Sequence, residues 1–234
     1  MSSNNLIGIK QGEKVIGILG GMGPYATASF YKQILDCNPV RKEWDQLRVI
    51  IDSNVKIPSR TRSILYNEAS PVPGMIESIN MLANAGADFV AVPCNSAHYF
   101  YDQVCPHIKI PWLSLVKITA QKIAKLGCRS ALILGGHVTV SKRIYDRYVD
   151  DAVYLSDRDN QTIAKMINEI KETNCLTQGS KKKFEGILKD NPADSAVLAC
   201  TELPIVYNEK SLWGIPLINS NLEYAKAVVR YGLP

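Results

Sequence analysis

The chain has 234 residues, with 27 Lys and Arg against 22 Asp and Glu, a formal charge of +5 and 46% apolar residues. That composition is ordinary for a globular protein and excludes long disorder. The positive charge is spread along the chain. Its densest run, Lys181-Lys182-Lys183, reads as a solvated helix end, since a nucleic-acid surface would carry more basic residues and interleaved aromatics. No apolar run approaches the roughly 20 residues that span a bilayer, and the opening MSSNNLIGIK lacks a charged-then-apolar signal pattern. The expectation is a cytoplasmic protein with neither a nucleic-acid nor a membrane partner.

In chain order, Val15-Ile16-Gly17-Ile18-Leu19 predicts a strand. It ends at Gly20-Gly21-Met22-Gly23-Pro24 and leads into a helix over 25–36. Residues 47–51 read as the next strand. Apolar residues at helical spacing over 73–85 predict a helix that stops at Gly86. Phe89-Val90-Ala91-Val92-Pro93 is a strand, with a helix starting at Asn95. In the second half, Ser130-Ala131-Leu132-Ile133-Leu134 is a strand ending in Gly135-Gly136, and helices are predicted over 140–150 and 159–173. Ala196-Val197-Leu198-Ala199 is a strand followed directly by Cys200. The alternation is that of an α/β protein with parallel-type sheets covered by helices.

Three blocks recur in the same order. Ile16 to Gly21 resembles Ala131 to Gly136, Val90 to Asn95 resembles Val197 to Thr201, and Ile110-Pro111-Trp112-Leu113-Ser114 resembles Ile215-Pro216-Leu217-Ile218-Asn219. The chain reads as a diverged duplication: two similar α/β domains related by pseudo-two-fold symmetry. Each carries one cysteine just past a strand. Sites in open α/β sheets lie outside the carboxyl ends of the strands, so Cys94 and Cys200 would face each other across the cleft between the domains.

The six cysteines at 37, 94, 105, 128, 175 and 200 form no CxxC pair and no zinc-ligand spacing. In a reducing compartment they are free thiols. Cys94 and Cys200 each stand at the start of a predicted helix, where backbone N–H groups and the helix dipole lower a thiol's pKa or hold a carboxylate. Asn95, Ser96 and Thr201 add short polar side chains there. The alternative is two buried structural cysteines beside helix caps. The glycine turn does not match a dinucleotide fingerprint or a P-loop; it is a tight turn bringing backbone near a small ligand, or a purely structural one. Arg60, after the second strand, suits a bidentate grip on a carboxylate, or is a surface arginine. His98 either orients the Cys94 thiol or caps local structure. No Ser-His-Asp arrangement is readable, no metal set, and no motif for a nicotinamide, flavin or pyridoxal cofactor.

Taken together, GILGGMGPYAT, GADFVAVPCNSAHYFYD and CTELP resemble the aspartate/glutamate racemase superfamily, and within it the aspartate racemase branch, from about Val15 onward. The resemblance implies a racemase that uses neither pyridoxal nor any other cofactor, with an amino acid as its small-molecule partner. Cys94 and Cys200 would be its two acid/base residues. It places the substrate's side-chain carboxylate on Arg60 and Lys171. Met22, Asn54, Asn95 and Ser96 match pocket positions. Thr139 keeps the family spacing in the second domain, and Thr201 and Glu202 belong to the second cysteine motif. The implied fold has a discontinuous first domain, 1–112 plus 214–234, and a second domain, 113–213, in a possible homodimer. GGMG and Glu202 argue against the glutamate racemase branch, which has an Asp-Ser-Gly opening and CTHYP. Val138, Lys142 and Asn219 depart from the family's Gly, Ser and Asp. The aspartate reading is carried beside a broad-specificity or glutamate-accepting racemase and a dicarboxylate isomerase or lyase on the same scaffold.

Overall fold

The structure is a computed structural model and describes residues 11–234 apart from 174 and 208. The opening segment read for a signal pattern lies outside the described residues. Among those residues, no helix is long and apolar enough to cross a membrane.

The first half runs β1 (Ile16–Gly20), α1 (Pro24–Cys37), β2 (Val49–Ser53), α2 (Arg60–Tyr66), α3 (Val72–Asn84), β3 (Phe89–Ala91), α4 (Tyr101–Val104) and α5 (Leu115–Lys125). The second half continues with β4 (Ser130–Gly135), α6 (His137–Ser141), β5 (Asp151–Tyr154), α7 (Asp157–Thr173), α8 (Gln178–Asp190) and β6 (Ser195–Ala199). It closes with α9 (Leu203–Val206), β7 (Ser211–Leu212), β8 (Ile215–Asn219) and α10 (Ser220–Gly232). The residues of β1, β3 and β6 are buried throughout. Unbroken burial of short apolar strands is the signature of parallel sheets covered on both faces.

The repeat read from sequence is visible in the pairing. The first sheet has the order β2-β1-β3, and the second β5-β4-β6 before adding β8 and β7. Both β1 and β4 lie between their two neighbours, all parallel. Beyond β3, Val90 makes a parallel bridge to Trp112; beyond β6, β8 pairs in parallel. The third pair of repeated blocks therefore occupies matching sheet positions. Each then opens a helix with a side-chain cap. Ser114 accepts from the Lys117 N–H to start α5, and Asn219 accepts from the Leu222 N–H to start α10. Such caps satisfy N–H groups the first turn leaves unpaired.

Helices α5 and α10 pack on one another, and α10 packs on α1. One apolar core runs through them from Ile16 and Ile18 in the first sheet to Ile133 and Val197 in the second. Separate cores lie outside each sheet, under α3 and under α7 and α8. The strand β8, grouped with the first domain by the division at residue 214, is hydrogen-bonded to β6 of the second sheet. The return to the first half starts at α10.

Two predicted helices differ in form. The helix over 140–150 is replaced by the short α6 and a run of turns. Arg143 takes a left-handed φ of 46°, which an L-residue helix does not accommodate. At Asn95 the chain forms a 3₁₀ segment, Asn95–Phe100, before the four residues of α4.

Candidate active site

Both cysteines stand where a strand ends. After β1 the chain reverses through Gly20 and Gly21. A Cβ on Gly20 would come within 2.3 Å of Thr27 Cγ2, and one on Gly21 within 2.4 Å of the Asn54 carbonyl carbon. Gly21 also has a φ of 81°, open to glycine without strain. Thr27 Oγ1 accepts from the Gly21 N–H at 3.0 Å and donates to the Gly23 carbonyl at 2.8 Å. This fixes the turn and holds Met22 at the mouth of a cleft.

Cys94 follows β3 and is buried. Its sulfur shares a 3.4 Å hydrogen bond with Ser96 Oγ. His98 does not reach that sulfur. Its Nδ1 donates to the Cys94 carbonyl at 3.0 Å, while Nε2 accepts from the Leu115 N–H at 3.0 Å. Burial pushes the imidazole pKa down to about 4, so the ring is neutral with its proton on Nδ1. Of the two roles read for His98, the contacts are those of a tie between the Cys94 backbone and the start of α5.

Cys200 follows β6. Its thiol donates to Glu202 Oε2 at 2.8 Å, and Thr201 Oγ1 donates to the same oxygen at 3.1 Å. Glu202 and Thr201 are buried. The Cys200 thiol is held well above the ordinary thiol pKa, first by burial and then by the charge of Glu202, with Lys171 opposing. The expected lowering by a helix dipole does not prevail. The helix after Cys200 is only the four-residue α9, and it begins three residues on. Desolvation of a thiolate outweighs so short a dipole.

A buried chain of hydrogen bonds joins the two cysteine segments. Tyr145 donates to Asn95 Oδ1 at 2.6 Å, Asn95 Nδ2 donates to Ser220 Oγ at 3.4 Å, and Ser220 donates to the Leu198 carbonyl at 2.8 Å, in the strand that ends before Cys200.

The cleft takes Met22, Arg60, Cys94, Asn95 and Ser96 from the first half, and Thr139, Lys171, Cys200, Thr201 and Glu202 from the second. Its volume is about 130 Å³, below the roughly 300–1,000 Å³ of drug-sized ligand sites. A small molecule fits and a dinucleotide does not. Arg60 sits in the first turn of α2, whose N-cap Ser59 accepts from the Arg62 N–H. Its Nη1 donates to the Pro58 carbonyl at 3.1 Å and its Nη2 to Met22 O at 3.4 Å. Its Nε is buried with no hydrogen-bond partner among the described residues. Lys171 comes from the last turn of α7.

One candidate stands apart. Asn54 is not part of the cleft lining; its side chain donates to Ser78 Oγ and accepts from the Lys56 N–H, bracing the glycine turn from outside. Six lining residues were not singled out for the site from sequence: Ser59, Thr61, Gly136, Val138, Ile167 and Ala199. Gly136 could have been found as the repeat mate of Gly21, and Ser59 as an N-cap. A wider groove of about 860 Å³ lies between α5 and α10, away from both thiols. Among the described residues, no group of three or more His, Cys, Asp or Glu side chains is arranged to hold a metal ion.

A thiol from each half lines one small cleft, with Arg60 and Lys171 in the same lining. The Asp/Glu/Hydantoin racemase family model matches residues 19–228. The chain belongs to this family. The racemase is therefore an isomerase. It is 28% identical to the broad specificity amino-acid racemase RacX of Bacillus subtilis (strain 168), over 92% of this chain and 96% of that protein. Among solved structures it resembles Picrophilus torridus aspartate racemase, at a TM-score of 0.81 and 28% identity over 93% of each chain. It also shares the fold of glutamate racemase from Francisella tularensis subsp. tularensis SCHU S4 in complex with D-glutamate. That match has a TM-score of 0.69 and 15% identity, covering 92% of this chain and 80% of that one.

Proposed function

We propose that this racemase interconverts the L and D forms of an amino acid, aspartate foremost, by two-base proton transfer between Cys94 and Cys200 without a cofactor. The observation that carries the reading is the single small cleft onto which each half delivers one cysteine from the carboxyl end of a strand.

In one direction Cys94, as thiolate, takes the α-proton, and Cys200 gives a proton to the opposite face. Cys200 suits the acid role because burial and Glu202 keep its proton on. In the other direction the roles exchange. The α-carbanion needs its charge drawn onto the α-carboxylate. Backbone N–H groups after Cys94 and Cys200 are the donors for that oxygen pair. Each acid/base group is worth about 10²–10⁴-fold in rate. Arg60 and Lys171 hold the side-chain carboxylate. The unpartnered Arg60 Nε supports this, since a buried guanidinium N–H gains an acceptor when an anion binds. A reducing cytoplasm keeps both thiols free, as all six cysteines are here.

A second reading, broad specificity, rests on Val138 and Ile167. Their side chains give the cleft an apolar wall that a neutral side chain can use, and the Bacillus subtilis relative is named for broad specificity. The test is incubation of the purified protein, with no cofactor added, with L-aspartate, L-glutamate and neutral and basic L-amino acids, followed by chiral chromatography. D-aspartate forming fastest is the expected result. Comparable rates on neutral or basic amino acids would favour the second reading, and no D-enantiomer from any substrate would overturn both.

A further inference from the structure

We propose that Val138 limits the length of side chain the cleft accepts, admitting aspartate and turning away glutamate, which is one methylene longer. This role deepens the racemase reading above and rests on it, with Arg60 and Lys171 as the partners of the side-chain carboxylate.

The two cations come from different halves. Arg60 opens α2 in the first half, and Lys171 stands in the last turn of α7 in the second. Helix α6 packs against both of these helices. Val138, in the first turn of α6, lines the same cleft as Arg60 and Lys171. Ile167 lines it too, four residues before Lys171 on α7 and so on the same helix face. A side chain that carries its carboxylate to both cations therefore runs up against an apolar wall, with Val138 on the helix that joins the two.

That wall has nowhere to retreat. A Cβ on Gly135 would meet Thr139 Cγ2 at 3.0 Å and the Ala199 carbonyl oxygen at 3.1 Å. The bare glycine lets α6 sit close against the ends of β4 and β6, the latter ending one residue before Cys200. The depth of Val138 relative to that thiol is thereby fixed. Val138 is 1% exposed, so its far side is already packed. Branching at Cβ leaves it one strongly preferred rotamer in a helix, where a longer, unbranched side chain could swing aside. With the α-carbon held between the thiols, the extra methylene of glutamate has to displace Val138 or push the α-carbon out of line. Packed interiors resist the first, and proton transfer suffers from the second. A single methylene discriminates by about 10- to 200-fold in such a pocket.

The experiment compares wild type with Val138→Ala in the full chain by two readouts. The first is kcat/KM for L-aspartate and L-glutamate by chiral chromatography. The second is the Kd of each by isothermal titration calorimetry, which does not depend on turnover. Wild type is expected to prefer aspartate in both. Val138→Ala is expected to narrow the aspartate-to-glutamate ratio by about 10-fold or more in kcat/KM, through a gain on glutamate, and to narrow the Kd ratio in the same direction. Unchanged ratios would overturn the proposal, and so would an equal gain or an equal loss on both substrates. If circular dichroism shows that Val138→Ala does not fold, Val138→Ile takes its place. Its added methylene is expected to weaken aspartate binding by about 10-fold, and an unchanged affinity is contrary. A wild-type protein that racemises neither acid counts against the functional reading. One that binds and racemises glutamate as well as aspartate counts against Val138 alone.

Discussion

The hydroxyl of Tyr145 donates to Asn95 Oδ1 at 2.6 Å, and both residues are buried. Tyr145 belongs to the second half and Asn95 follows Cys94 in the first. The hydrogen bond therefore sets one cysteine's loop against the other half of the molecule. Asn95 continues the link to Ser220 and the end of β6. Tyr145→Phe removes the donor and leaves a buried amide oxygen short of a partner, at a cost of about 1–3 kcal/mol. Urea denaturation should show that loss, and kcat/KM should fall with it because the two thiols lose their relative placement.

Gly21→Ala should be worse for its size than any alanine substitution on the surface. The new Cβ meets the Asn54 carbonyl carbon at 2.4 Å, and the backbone is left-handed. Left-handed backbone alone costs an L-residue about 1–2 kcal/mol. The expected outcome is a lower urea midpoint together with weaker substrate binding, as Met22 shifts. A variant of wild-type stability would show that the turn is looser than its contacts indicate.

His98 gives the protein a pH-dependent stability. Its imidazole pKa is about 4 in the fold, pushed down by burial, against about 6.5 in an unfolded chain. Below pH 6.5 the unfolded state binds a proton that the folded state refuses. Stability is therefore full above that value and falls as pH drops toward 4, by up to about 1.4 kcal/mol per pH unit. Urea titrations at several pH values should show this slope in wild type. His98→Gln should flatten it, while being less stable than wild type at pH 7.5. Equal slopes would refute the assignment.

Arg60→Ala tests the reading of the side-chain carboxylate. Losing a charge-assisted pair of about 1.5–3 kcal/mol corresponds to a rise in KM for aspartate of about 10- to 100-fold. Neutral amino acids should be little affected. A uniform rise for all substrates would make Arg60 a structural tie between Pro58 and Met22.

Much of this site was legible because its parts are local. The strand-to-glycine turns, both cysteines and the shared order of repeated blocks each occupy a few consecutive residues, and the pairing β2-β1-β3 against β5-β4-β6 bears the repeat out. What was not legible depends on partners distant in sequence. The apolar spacing over 140–150 suits a helix, but Arg143 turns left-handed and the side chain of Tyr145 goes inward to Asn95. Asn54 lies next to the turn that holds Met22, yet its side chain points to Ser78 instead of the cleft. The high pKa of Cys200 comes from burial and from Glu202; a helix start read from sequence suggests the opposite sign.

The central claim is that two thiols work on opposite faces of one carbon. Racemisation of L-aspartate in deuterium oxide, with the α-deuterium content of both enantiomers measured within the first few per cent of conversion, tests it most directly. The two-base account predicts D-aspartate carrying deuterium from the second thiol, while the remaining L-aspartate keeps its proton. Deuterium entering both enantiomers equally from the start, or D-aspartate retaining the original proton, would mean one base serving both faces and would contradict it.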